Sequence, residues 1–160
     1  YLKRRLVGRF NIDPASASAQ QIRSKVERLL ADQDSSRRKQ LVREVVGEAQ
    51  RKGRGAAGLR HVLRSLEQGE IQILLLSERF HAVGVECRHC GHIDFKMQSN
   101  CGVCSHPVTP VEDLANAILG TALRRRMEVV YVQDDPVLES CGHIAALLRF
   151  RSDQSRAVAS

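Results

Sequence analysis

Four cysteines of this chain stand in two pairs, Cys87-Arg88-His89-Cys90 and Cys101-Gly102-Val103-Cys104, with ten residues between the pairs. A C-x-x-C turn points two thiolates at one centre. Two such turns supply four soft ligands in tetrahedral array, the donor set that suits Zn2+ at about 2.3 Å. Cys87, Cys90, Cys101 and Cys104 are therefore the expected ligands of one zinc ion. Four protein ligands leave no open position for water or substrate, which favours a structural ion over a catalytic one. Binding of this kind contributes folding free energy on the order of 10 kcal/mol to a loop too small to bury a core. Gly91 and Gly102 are expected to relieve backbone crowding in the turns. His89, His92 and His106 are surplus to four thiolates and read as neighbours of the site or surface residues. A redox dithiol is the competing chemistry, but that motif stands alone at the start of a helix after a strand. Cys141, the fifth cysteine, has no paired cysteine beside it and adjoins an apolar strand, so it reads as a small hydrophobe and not as a nucleophile.

Catalysis finds no home elsewhere in the sequence. No phosphate-binding G-x-x-x-x-G-K-[ST], no G-x-S-x-G elbow, no H-E-x-x-H helix and no dinucleotide glycine motif after a strand occurs. The neighbours Asp134 and Asp135 could hold Mg2+, but beside Pro136 they read better as residues that start a helix. Aromatic residues make up only 4% of the chain, with no Trp, which excludes a broad surface of stacked rings for reading bases. The net charge of +7 is unevenly placed, with 16 Lys/Arg against 6 Asp/Glu in residues 1–65 and 9 against 12 in residues 66–160. A basic first half either steers association with phosphate backbones or is the solvated face of a long helix. The residues it offers to phosphate or to a partner are Arg37, Arg38, Lys39, Arg51, Lys52 and Arg54.

The elements that must position these residues follow from hydrophobic spacing. Residues 15–52 read as a helical arm, one long helix or two, capped by Ser16 or Ser18 and carried by Ile22, Val26, Leu29, Leu41, Val42, Val45 and Val46. The run Lys52 to Gly58 is a glycine-rich junction. An amphipathic helix then passes through Leu59, Val62, Leu63 and Leu66 and stops at Gly69, a residue suited to the left-handed turn. Ile71 to Ser77 is short, apolar and β-rich, as a strand covered on both faces should be. After the cysteines, Pro110 precedes a helix whose first turn carries Glu112 and Asp113 and whose last turn carries Arg124-Arg125-Arg126, charges placed to suit the helix dipole. Val129 to Val132 and His143 to Phe150 are two further strands. The apolar run Ile73 to Leu76 is far short of the roughly 20 residues that cross a bilayer. The chain opens at Tyr1 without a secretory leader, and its cysteine usage suits a reducing compartment, so it is expected to be a piece of a longer cytoplasmic protein.

The segment Gly58 to Glu70, the strand Ile71 to Leu76 and Glu78 together resemble the opening of the third domain of archaeal and eukaryotic class-1 peptide chain release factors. The two cysteine turns, the helix from Val111, the strand Val129 to Val132 and the closing stretch Cys141 to Phe150 are similar to the rest of that domain. Tyr1 to Pro14 resembles the end of the family's middle domain. The resemblance implies an α/β fold, a three-layer sandwich with a mixed sheet related to the kink-turn-binding ribosomal proteins, with an inserted zinc-ribbon mini-domain and an N-terminal helical arm. It implies a remnant of the preceding domain over 1–14, the arm or linker over 15–52, the third domain over 53–151 with the zinc mini-domain at 84–109, and a flexible tail over 152–160. Ala57-Gly58 stands where the kink-turn binders use an Asn-Glu pair, which argues against that recognition. The family's codon-reading domain and Gly-Gly-Gln loop are not in this sequence, so the chain alone is not expected to hydrolyse peptidyl-tRNA.

The function these readings imply is that of a non-catalytic domain in translation termination or ribosome rescue, with the ribosome or a translational GTPase as partner and a possible contact to ribosomal RNA. The alternatives are a zinc-ribbon nucleic-acid-binding module, or part of an RNA-cleaving or peptidyl-tRNA-hydrolysing enzyme whose active residues lie upstream. Against the nucleic-acid module, the stretch from Cys87 to Cys104 holds only Arg88 and Lys96 as cationic residues, beside Asp94.

Overall fold

The computed structural model describes residues 35–152. The remnant over 1–14, the start of the helical arm and the tail from 153 lie outside the described residues. The chain divides into two compact units, Tyr1–Arg38 and Lys39–Ser160, and the second carries the fold. In chain order its elements are helix α1 (Ser35–Gln50, entering from the first unit), strand β1 (Gly55–Ala57), helix α2 (Leu59–Glu67), strands β2 (Ile71–Ser77), β3 (Gly84–Glu86), β4 (Ile93–Asp94) and β5 (Thr109–Val111), helix α3 (Leu114–Arg124), strand β6 (Glu128–Val132), helix α4 (Pro136–Ser140) and strand β7 (Ile144–Leu148).

The main sheet runs β1-β7-β2-β6. It is mixed: β2 pairs parallel with β6, from Ile73 opposite Glu128 to Ser77 opposite Val132, and antiparallel with β7. Its apolar residues divide with the period of two that a pleated strand imposes. Leu74, Leu76, Ala146 and Leu148 meet Val62, Leu63 and Leu66 of α2 and Leu114, Ile118 and Ala122 of α3. Ile73, Leu75, Val130, Val132 and Ala145 meet Val42, Val45 and Val46 of α1 and Leu138 of α4. Helices on both faces make three layers, as expected, and explain why β2 needs no polar side. Burying a Leu or Ile of β2 stabilises the fold by roughly 1.5–3 kcal/mol each.

The glycine-rich run does not separate an arm from a domain. Val42, Val45 and Val46 form an i, i+3, i+4 stripe in the same core as β2 and β6, so residues 39–52 are part of the fold. Gly53 and Gly55 reflect close packing, not a hinge. A Cβ on Gly55 would collide with the Ala49 nitrogen and the Val45 carbonyl oxygen, because β1 crosses directly over the last turns of α1. Glu48 fastens this crossing, accepting from the Arg54 backbone N–H at 3.0 Å and from the Arg51 guanidinium at 2.7 Å. Those two contacts, the Arg51 one foremost, hold its carboxyl below the usual glutamate value.

The start of α3 also differs from the reading of Pro110 as its leading residue. Thr109–Val111 is a strand at the edge of the small sheet β4-β3-β5, where a proline's missing N–H costs no ladder bond. The helix starts three residues later, capped by the Asp113 carboxylate, which accepts from the Ala115 N–H at 3.0 Å. Asp135 likewise caps α4, its Oδ1 accepting from the N–H groups of Val137 and Leu138 at 2.9 and 3.1 Å. The Asp134-Asp135 pair is thus a helix start, as its place before Pro136 suggested. Arg125 caps more than its own helix: its Nη1 donates to the Leu66 carbonyl in the last turn of α2.

Candidate metal centre

The cysteine segment leaves the main sheet between β2 and α3, and the antiparallel pairing of β3 with β5, Gly84 opposite Val111, closes it at the base. Within it the two C-x-x-C turns are built alike. The Cys87 N–H donates to the His92 carbonyl at 2.8 Å and the Cys101 N–H to the His106 carbonyl at 2.8 Å, while the Gly91 and Ser105 N–H groups return to the carbonyls of Cys87 and Cys101 at 2.8 and 2.9 Å. Each turn therefore closes on its leading cysteine and presents both sulfurs on one side. The left-handed residue is Gly91 in the first turn and Ser105 in the second. Gly102 has no positive φ and open space where a Cβ would stand, so it is not the residue that relieves crowding there.

The four sulfurs converge. Cys87 Sγ lies 3.4 Å from Cys104 Sγ, Cys90 Sγ lies 3.6 Å from Cys101 Sγ, and all four ligand atoms fall within 4.8 Å of one another. A tetrahedron of metal–sulfur bonds near 2.3 Å has edges of about 3.8 Å, so the spacing fits a single thiophilic ion. Cys87 and Cys101 are buried, Cys104 is half-buried and Cys90 is exposed. The Cys90 N–H, with help from the His89 N–H and the Cys104 side chain, brings the Cys87 thiol down to about 7. Cys101 is lowered in the same way, chiefly by the Cys104 N–H and then by that of Val103, which lies 3.4 Å from the sulfur. The His92 N–H pulls Cys90 down, but burial and the competing thiols of Cys104, Cys101 and Cys87 outweigh it and push Cys90 up to about 12. Cys104 is raised too, since burial and the Cys87 thiol overrule the His106 N–H. The leading cysteines thus give up their protons more readily than the trailing ones.

The three histidines separate. His92 is half-buried, its Nδ1 3.3 Å from Glu67 Oε1 of α2 and its Nε2 3.8 Å from Asp94 Oδ2, distances at which a protonated ring pairs with both carboxylates, although Nδ1 makes no hydrogen bond here. Beside it a cleft of about 150 Å³ runs between the turn and α2/α3, lined by Leu63, Leu66, Val103 and Arg125 among others. His89 and His106 are exposed and stack on each other, centroids 3.7 Å apart and planes 7° from parallel. This stack between the two turns was not read from sequence, although each histidine follows a cysteine by two positions. Cys141 is half-buried at the end of α4, packed against the core cluster that holds Val42, Leu75 and Leu138.

The cationic candidates are scattered by comparison. Arg51, Lys52 and Arg54 share the exposed turn between α1 and β1. Lys39 is exposed on α1, and Arg37 is exposed within the first unit. Arg38 is only 8% exposed, so a long helix's polar stretch does not present it to solvent as the other five are presented.

No family profile matches the chain, and no curated protein does. Among solved structures, the C-terminal domain of a peptide chain release factor from Methanosarcina mazei superposes with a TM-score of 0.56 at 23% identity, covering 90% of this chain and 99% of that one. Pelota from Archaeoglobus fulgidus gives 0.48 at 17% identity over 88% of this chain and 39% of that one. An archaeal Pelota described in a ribosome-bound state with ABCE1 gives 0.48 at 22% identity over 87% and 34%. The chain thus spans well under half the length of either Pelota. Fold and site define a three-layer α/β domain that carries a four-cysteine cluster of metal-site geometry. Its fold is that of the C-terminal domain of a class-1-type peptide chain release factor.

Proposed function

We propose that this chain is the C-terminal, non-catalytic domain of a release-factor-like translation protein, docking on the ribosome or on a translational GTPase in termination or ribosome rescue. The observation that carries the reading is the superposition on the Methanosarcina release-factor domain over 99% of that domain's length. Among the described residues no helix is long and apolar enough to cross a membrane.

The ion is zinc, held by Cys87, Cys90, Cys101 and Cys104. It supplies a cross-link between the two turns, in a segment whose own sheet has only short strands. The exposed cations Arg37, Lys39, Arg51, Lys52 and Arg54 contribute a salt-sensitive contact to ribosomal RNA, and Arg38 is set apart by its burial.

Pull-down from a cell extract at low and at moderate salt tests the assignment. Ribosomes or a GTPase retained at moderate salt are the expected result, because a docked protein face resists salt better than phosphate contacts do. Recovery of bulk nucleic acid alone, lost as salt rises, assigns the chain instead to the zinc-ribbon nucleic-acid modules. Turnover of peptidyl-tRNA by the isolated chain overturns the non-catalytic reading.

A further inference from the structure

We propose that the chain holds a second metal site, built from His89, His106 and Cys104, in which the Cys104 thiolate bridges a second thiophilic divalent cation to the one held by the four cysteines. The inference rests on the four-thiolate reading and goes beyond it. Ligand atoms of His89, Cys104 and His106 all lie within 4.8 Å of one another. They come from both turns, His89 from the first and Cys104 and His106 from the second, so the site exists only when the two turns are folded together.

The hydrogen bonding prepares the ligands. His106 Nδ1 lies 3.1 Å from the Cys104 carbonyl oxygen, which can only accept, so the contact is a hydrogen bond in the tautomer with the proton on Nδ1, the one that leaves Nε2 free for an ion. That is the arrangement by which metal-bound imidazoles are oriented: one nitrogen donates to a carbonyl while the other faces the ion. A thiolate bound to one cation retains further lone pairs, and Cys104 is only half-buried, so its outer side is reachable.

The rings are stacked at 3.7 Å and nearly parallel, and two parallel imidazoles cannot aim both lone pairs at one ion. One ring must turn. His89 has the freedom to do so, being exposed, and the imidazole torsion is broad and lightly held. The set that results is two nitrogens and one sulfur with a fourth position open to water, a donor set for Zn2+, Co2+ or Cd2+ and not for Mg2+ or Ca2+. Exposure and the shared thiolate make it the weaker of the two sites.

The metal-free chain titrated with Cd2+ or Co2+ tests this, followed by absorption and by equilibrium dialysis. The native chain is expected to take up about two equivalents in separable steps, and the double variant His89→Ala/His106→Ala about one, with the first step unchanged. Both side chains are exposed, so the double variant keeps its fold, and retention of the tight first step reports that it has. Saturation of the native chain at one equivalent overturns the second site alone, as does a double variant that still binds two. Absence of any tight equivalent in either protein overturns the four-thiolate reading along with it.

Discussion

Ser105 stands in the second cysteine turn where Gly91 stands in the first, each four residues after the leading cysteine and each in the left-handed region, with φ of 62° and 76°. A side chain in that region costs roughly 1–2 kcal/mol, and glycine escapes the cost. Gly91→Ala is therefore expected to lower stability by about 1 kcal/mol. Gly102→Ala, where φ is not positive and nothing lies within 4 Å of the new Cβ, should stay within about 0.5 kcal/mol of the native chain. Thermal unfolding of the metal-loaded proteins compares them. Equal losses at both positions would mean that the left-handed backbone at Gly91 is not what sets the cost.

Gly55 gives a sharper case. The helix α1 and strand β1 cross so closely that an alanine there meets the backbone of Val45 and Ala49, and backbone cannot swing away as a side chain can. Gly55→Ala should destabilise by about 1–3 kcal/mol, whereas Gly69→Ala should act through its positive φ alone, since open space surrounds it. Limited proteolysis bears on the same packing. With α1 integral to the core, cleavage between residues 50 and 58 should be slow in the native chain and fast in Gly55→Ala. Rapid cutting of the native chain there would restore the separable arm.

Sequence made part of this legible and hid the rest for physical reasons. The run Ile71 to Ser77 declares a strand buried on both faces because nothing else tolerates seven residues of that kind with so little charge, and the cysteine spacing declares its own geometry. The role of Lys52 to Gly58 was hidden because a glycine that frees a linker and a glycine that admits a crossing backbone are the same residue; only the partner, Val45 and Ala49, tells them apart. Pro110 misled similarly, since proline suits a helix start and an edge strand equally. Ser105 was passed over because a left-handed serine carries no compositional mark, and the His89–His106 stack because it joins residues 17 positions apart.

Asp135 is 5% exposed and accepts two backbone N–H groups at the start of α4. Asp135→Ala leaves both donors without a partner in a nearly dry setting, and should cost about 1–2 kcal/mol. Asp135→Asn keeps an acceptor oxygen and should recover most of it. The melting temperature of the alanine variant is expected to drop by roughly 3–8 °C. A drop in the asparagine variant as large as in the alanine variant would show that the negative charge and not the cap is what matters.

The uneven thiols set the pH dependence of metal uptake. With the Cys87 thiol near 7 and Cys101 lowered, against Cys90 near 12 and Cys104 raised, the metal-free cluster at pH 8 keeps its protons mainly on the trailing cysteines. Zinc must displace whatever protons remain, so about two should be released at pH 8 from the trailing cysteines alone, and about one more per ion at pH 6, where Cys87 is protonated as well. The sign follows: apparent affinity rises with pH, and its slope against pH equals the number released, steeper below pH 7 than above it. Calorimetric titration of the metal-free chain in buffers of different ionisation enthalpy counts these protons directly. Release of four at both pH values would mean that the four thiols titrate alike and that the N–H donors of Cys90 and Cys104 do not distinguish the leading sulfurs.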